Sequence, residues 1–117
     1  MSYVDGFLLA VPEANKEAYR RMSEDAWNKY FKPAGALEHH EAWEDDVPEG
    51  KVTSFPMAVK REAGEVVVFS WIVWPDKAKR DACYQTMMSD TQMPQDMPFD
   101  GKRMMYGGFT PLFEAHA

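Results

Sequence analysis

The stretch EHHEAWEDD, residues 38–46, is the densest set of side chains able to do acid–base or metal chemistry, with two adjacent histidines and five carboxylates. On a β-strand, successive side chains point to opposite faces, so His39 would share a face with Glu41. His40 and Glu38 would lie on the other face, and the adjacent histidines could not chelate one ion. A catalytic zinc usually takes three protein ligands. We therefore predict no metal site.

His39 is the strongest candidate for a general base, since an unperturbed histidine has a pKa of about 6.5. Glu41 and Arg103 are the charged groups predicted to accompany it as a catalytic set. No Ser-His-Asp signature and no dinucleotide-binding fingerprint is present, and we expect no cofactor. The chemistry open to such a set is general acid–base catalysis or cofactor-free oxygenation in an apolar cavity.

Three further residues are predicted to line a ligand pocket, either between the helices and the sheet or inside a dimer. They are Asp5, Ser70 and, as an aromatic platform, Trp71. A second polar set lies in two motif-like loops and is predicted to hold them against the sheet: Lys51, Ser54, Asp100 and Lys102. The run that begins at Lys51 lacks the glycine spacing of a phosphate-binding loop.

Sulfur-bearing side chains are concentrated late in the chain. Six of the nine methionines fall between residues 87 and 105. Thioethers can bind copper(I), but we favour adaptable apolar packing around a hinge-like segment. The lone cysteine, Cys83, lies among helix-forming residues and is predicted to be a buried, inert thiol.

Length and charge restrict the classes of protein to consider. A chain of 117 residues suits one domain, residues 1–117. The net charge is −6, and the basic residues are scattered among acids, which disfavours nucleic acid and anionic membrane as partners. No apolar run approaches a membrane span, no signal peptide is evident, and a single cysteine fits a reducing compartment. We expect a cytoplasmic protein.

Hydrophobic periodicity predicts four strands and two helices. The strands are expected at 3–11, 36–44, 66–74 and 103–115, and the helices from Pro12 to the turn at 32–35 and at 76–90. The inward positions are expected to be Ala14, Ala18, Met22, Ala26 and Tyr30 in the first helix, where Tyr19, Trp27 and Phe31 widen the apolar stripe, and Ala78, Ala82 and Met88 in the second. Residues 51–60 read as extended, with Pro56 favouring an edge or a loop.

This order, β-α-β-β-α-β, predicts an α+β fold of the ferredoxin-like type, with a four-stranded antiparallel sheet and two helices on one face. The strands at 3–11 and 66–74 are apolar on both faces. An apolar sheet face of that size should not remain in water. We therefore predict a homodimer packed sheet against sheet.

Four segments resemble a known family. They are YVDGF (3–7), DDVPEGKVTSFPMAVK (45–60), VVVFSWIVWP (66–75) and MPFDGKRMMYGGF (97–109). With these motifs the chain resembles the uncharacterised bacterial YbaA-like family over almost its whole length. The resemblance implies the dimeric α/β-barrel superfamily, which includes cofactor-free oxygenases, isomerases and ligand-binding domains. It carries over no activity, because a fold does not imply a function.

The leading functional hypothesis is a homodimer that binds a small apolar or aromatic metabolite. One alternative is a cofactor-independent monooxygenase or isomerase acting on a quinol, a phenol or a lactone. Another is a non-catalytic protein that acts through its surface. A role with RNA is disfavoured by the negative charge.

Overall fold

A four-stranded antiparallel sheet is the frame of the computed structural model, which describes residues 2–117. Its strands are β1 (Tyr3–Pro12), β2 (Glu38–Trp43), β3 (Glu65–Trp74) and β4 (Met105–Phe109). They lie in the order β2-β3-β1-β4, and all neighbours are antiparallel. The predicted α+β class is confirmed, although the last strand is much shorter than the expected 103–115.

Three α-helices accompany the sheet: α1 (Lys16–Ala26), α2 (Phe55–Ala58) and α3 (Lys77–Ser89). A 3-10 turn at Glu13–Asn15 precedes α1, and a π turn at Trp27–Phe31 extends it. Residues 13–31 are therefore helical almost throughout, as predicted, although Pro12 closes β1 instead of opening the helix.

The one-turn helix α2 was not expected, because its segment reads as extended. Ser54 caps it, since its hydroxyl accepts a hydrogen bond from the backbone N–H of Met57 at 3.1 Å. Pro56 is compatible with this position because the first turn of a helix leaves its N–H groups unbonded.

One face of the sheet packs against α1 and α3 and forms the main core. In the β1–β3 register, Leu9 lies opposite Val68 and Asp5 opposite Ile72, which places these side chains on the same face. The strand residues of this core are almost wholly buried: Leu9, Val11, Val68, Ile72 and Trp74. The helical segments contribute Tyr19, Tyr30, Phe31 and Cys83. The buried thiol predicted for Cys83 is confirmed, and burial raises its pKa to about 11.

Three of the five inward positions predicted for the first helix are buried or partly buried against the core: Met22, Ala26 and Tyr30. The first two predicted positions are wrong. Ala14 and Ala18 are exposed, and Tyr19 and Ser23 are buried in their place. A four-residue repeat rotates by about 40° per step around a helix of 3.6 residues per turn, so it drifts away from the sheet-facing side.

In α3 the predicted inward residues are also wrong. Ala78 and Ala82 are exposed, and Met88 is 87% exposed. The buried residue of this helix is Cys83, with Met87 partly buried one turn later.

The other face of the sheet is only partly covered. Val59, just after α2, packs on Ala10 and Val67 at one end of that face. Towards the other end, Phe69 is 48% exposed and Phe109 is 61% exposed. We call this uncovered part of the sheet the open face. Both faces of β1 and β3 are apolar, as predicted, but only one is buried within a single chain.

Candidate functional site

A cavity of about 660 Å³ lies between the helix-covered face of the sheet, α1 with its π turn, and residues 92–99. This volume is within the usual range of small-molecule sites. The segment over the cavity is tied back to the start of α1, because the Asn15 side-chain amide donates to the Pro98 carbonyl at 3.0 Å.

The walls of the cavity are mainly thioether and aromatic. Five methionines line it: Met22, Met87, Met93, Met97 and Met104. Four of these five belong to the late methionine group that the sequence singled out, whereas Met88 and Met105 of that group are not in the lining. The aromatic lining residues are Phe7, Tyr19, Tyr30, Phe31 and Phe99. Methionine side chains are flexible enough to adapt to the shape of a ligand, and their sulfur atoms make favourable contacts with aromatic rings.

One wall carries a polar group that we call the Glu41 cluster, made of Glu41, His39, Tyr19 and Ser23. Glu41 Oε1 accepts from the Tyr19 hydroxyl at 2.6 Å. Glu41 Oε2 accepts from the Ser23 hydroxyl at 3.1 Å and lies 2.8 Å from His39 Nε2. Because a carboxylate only accepts, His39 must donate from Nε2. Three donors thus satisfy one carboxylate on the cavity wall.

Local structure explains how the cluster forms. His39 and Glu41 are two residues apart on β2 and so share the helix-covered face, as predicted. Tyr19 and Ser23 are one turn apart on α1 and face the same strand. Sequence reasoning missed both hydroxyls as site residues: Tyr19 was read as apolar and Ser23 was not considered. Their four-residue spacing on a helix that must face the sheet was the available signal.

The environment fixes the protonation state of one member of the cluster. Burial and then the charge of Glu41 raise the pKa of Tyr19 far above its usual value. Tyr19 therefore remains a protonated donor at neutral pH. The His39 ring packs edge-on against Phe31, with centroids 5.3 Å apart, and its side chain is only 9% exposed. The result is an oriented imidazole–carboxylate pair on an apolar wall, an arrangement suited to moving one proton.

Among the residues predicted for the pocket, Ser70 lines the cavity and Trp71 does not. Ser70 is 2% exposed and lies opposite Glu41 in the β2–β3 register. Trp71, the next residue, points to the open face and stacks on His40, with ring centroids 4.5 Å apart. His40 in turn contacts Glu38 at 2.8 Å on that face.

Asp5, the third predicted pocket residue, lies away from the cavity, in a buried cluster under α3. It is 2% exposed and accepts from Trp74 Nε1 at 2.9 Å, Arg80 Nε at 3.0 Å and the Tyr84 hydroxyl at 2.7 Å. Buried charges require such partners. Asp5 therefore joins α3 to the sheet and has no contact with the cavity.

Arg103 also lies outside the cavity lining, in a tether between loops. It is the last residue of a 3-10 turn, Gly101–Arg103, and donates to Glu65 at 2.7 Å, Asp100 at 3.0 Å and the Lys60 carbonyl at 2.9 Å. Lys60 has a positive φ of 51°, so this contact supports a strained backbone position.

The remaining residues of the predicted loop set are dispersed. The backbone N–H of Lys102 donates to the Asp100 side chain at 3.0 Å in the 3-10 turn. Ser54 caps α2, and Lys51 is exposed. The structure therefore brings together Asp100, Lys102 and Arg103, while Lys51 and Ser54 belong to a different loop.

Within residues 2–117, no group of three or more His, Cys, Asp or Glu side chains is arranged to hold a metal ion. Over the same residues, the helices are all too short or too polar to cross a membrane.

Comparison with known proteins places the chain among relatives of unknown activity. The profile of a family described as "Protein of unknown function (DUF1428)" matches residues 2–101. The "Uncharacterized protein YbaA" of Escherichia coli strain K12 is 56% identical over 117 residues, covering 97% of this chain and 99% of that protein. The protein of the same name from Shigella flexneri matches to the same extent.

The Asp5 cluster generates a stability prediction. We expect Asp5→Asn to lower the free energy of unfolding by about 2–3 kcal/mol, because Arg80 loses its buried ionic partner. Asp81→Asn is the matched control: it removes the other carboxylate on Arg80, which is 47% exposed, and should change stability by no more than about 0.5 kcal/mol. Urea unfolding followed by circular dichroism measures both. Equal losses would contradict the anchoring role.

Proposed function

We propose that this chain, which belongs to the DUF1428 family of proteins of unknown function, binds a small apolar or aromatic metabolite. The observation that carries the proposal is the cavity of about 660 Å³ with thioether and aromatic walls and the Glu41 cluster on one side. A largely apolar cavity with few, convergent polar groups is the usual form of a small-molecule site. The single cysteine fits a reducing compartment, and we place the protein in the cytoplasm.

A cofactor-independent monooxygenase or isomerase, acting on a quinol, a phenol or a lactone, is the second candidate. The contact of 2.8 Å between His39 and Glu41 on the cavity wall favours it, because a general base needs an oriented ring within reach of the substrate. In this candidate His39 takes the proton and Glu41 orients it. Arg103 and Trp71 have no part in it, since neither lines the cavity. Formation of a product from the bound molecule would favour catalysis over binding alone.

We also propose that two copies of the chain pack through their open faces, as in a dimeric α/β barrel built from ferredoxin-like units. The strand order β2-β3-β1-β4, with α1 and α3 on one face, supports the ferredoxin-like part. Phe69 and Phe109 are both exposed on the open face, and Leu112 and Phe113 beyond β4 are fully or mostly exposed. A second copy of the chain has an apolar surface of the same kind, and we propose that it covers the open face.

A cavity-filling variant tests the ligand proposal. Ala26 lines the cavity, so Ala26→Phe should fill part of it, whereas Ala18→Phe adds the same ring on the exposed side of the same helix. We expect at least one member of a neutral aromatic library to raise the melting temperature of the wild type and of Ala18→Phe, because a ligand that binds only the folded state stabilises it. Ala26→Phe should lose that response.

The outcomes of this thermal-shift screen are distinct. No stabilising compound for the wild type would contradict the binding proposal and favour a protein that acts through its surface. An unchanged response in Ala26→Phe would place the ligand outside this cavity.

A charge on the open face tests the dimer. We expect the wild type to sediment as two chains at micromolar concentration and Phe69→Lys to sediment as one, since a lysine there would be desolvated at the interface. Met88→Lys, on the exposed side of α3, is the control and should remain dimeric. A wild type that sediments as a single chain would refute this part of the proposal.

A further inference from the structure

From the geometry of the Glu41 cluster we infer that the ligand is an uncharged aromatic molecule bearing a hydroxyl group, which donates to Glu41 and accepts from Ser70. Ligands without a donor should bind more weakly, and aromatic carboxylates more weakly still. This inference rests on the proposed function, since it assumes that the cavity holds the ligand. It deepens that function by naming the functional group that the site recognises.

The Glu41 carboxylate has one hydrogen-bond acceptor site left for a ligand. An ionised carboxylate offers about four lone-pair sites. In Glu41, Tyr19 occupies one site of Oε1, and Ser23 and His39 occupy the two sites of Oε2. One site on Oε1 is left, and Glu41 lines the cavity. What the protein offers the ligand at this point is therefore an acceptor, and the matching ligand group is a donor.

The Ser70 hydroxyl is the second polar group available to the ligand. It lies directly opposite Glu41 in the β2–β3 register and on the same face. Side chains so paired have Cβ atoms about 5 Å apart. Ser70 is 2% exposed and also lines the cavity. A hydroxyl on the ligand can donate to Glu41 and accept from Ser70 at once, whereas an amine uses only the first contact well and a lactone carbonyl only the second.

The charges around the cavity disfavour a negatively charged ligand. Lys29 is the only lysine or arginine among the cavity-lining residues in the described part of the chain, 2–117. Its ammonium lies 3.4 Å from Asp90 and over the Tyr30 ring, at the exposed rim. A ligand carboxylate placed at the Glu41 cluster would set a second negative charge beside Glu41 in an apolar environment, which is strongly unfavourable.

The cavity walls favour a ligand whose apolar part is an aromatic ring system. Five methionines surround the cavity, and thioethers make favourable contacts with the edges and faces of aromatic rings. Phe31 and Phe99 add aromatic surface to the lining. A flat, polarisable ring system therefore fits these walls, with its hydroxyl directed at the sheet.

The experiment compares naphthol, methylnaphthalene and naphthoate as matched probes, each titrated at neutral pH into the wild-type protein. Naphthol is then neutral and naphthoate ionised. We expect naphthol to bind about tenfold or more tightly than methylnaphthalene, as for one hydrogen bond to a charged acceptor, and naphthoate to bind more weakly than both.

Two variants locate the preference. Glu41→Gln should reduce the preference for naphthol and improve naphthoate binding, because the amide can donate to a carboxylate. Glu38→Gln, on the opposite face of the same strand, should match the wild type. If Glu41→Gln does not fold, Ser70→Ala serves instead and should reduce the advantage of naphthol over methylnaphthalene.

Failure of the inference and failure of the proposed function give different results. If none of the three probes binds, the cavity is not an aromatic-ligand site and both fall. If methylnaphthalene binds as tightly as naphthol, or naphthoate binds best, the cavity binds ligands but the hydroxyl assignment is wrong. A naphthol preference that survives in Glu41→Gln would likewise overturn the role of that carboxylate.

Discussion

The alternation of side chains along three paired strands is the constraint on which the rest of this structure depends. Because β1, β2 and β3 are held in one register, every second residue faces α1 and α3 and the others face outward. This alternation places the side chains of Glu41 and Ser70 in the cavity lining. It sends Trp71 to the open face, one residue away from Ser70. A slip of one residue in β2 would turn His39 and Glu41 to the open face and bring His40 to the cavity side.

The Glu41 carboxylate has a structural role at that cavity in addition to the ligand contact proposed for it. A partly buried charge is tolerated only when it is well hydrogen-bonded. Tyr19 and Ser23 meet this need, and in doing so they join α1 to the edge strand β2. The same contacts orient the carboxylate towards an apolar space. The attachment of α1 to β2 and the proposed ligand contact therefore involve one group, in contrast to Asp5, whose hydrogen bonds are all directed into the protein.

The sequence was sufficient for those features that follow from periodicity. Long apolar runs identified β1 and β3, and alternation placed His39 beside Glu41. Tertiary contacts decided the rest. Nothing local shows that Asp5 meets Arg80 and Tyr84, which are far along the chain, so its charge looked like a pocket group. The helix α2 arises from the Ser54 cap in a segment that otherwise reads as extended. In the first helix the early inward positions, Ala14 and Ala18, were misplaced because a four-residue repeat rotates around the helix. The inward positions predicted for α3 are all exposed.

Methyl NMR of methionine-labelled protein tests the central claim, that the cavity is the ligand site. The chain supplies its own controls, because Met22, Met87, Met93, Met97 and Met104 line the cavity while Met88 is exposed on α3 and Met105 belongs to β4. Individual Met→Leu variants assign the signals. On titration with naphthol, we predict shifts in the five cavity methyls and an unchanged Met88. Shifts confined to Met105, or to Met88, would contradict the account.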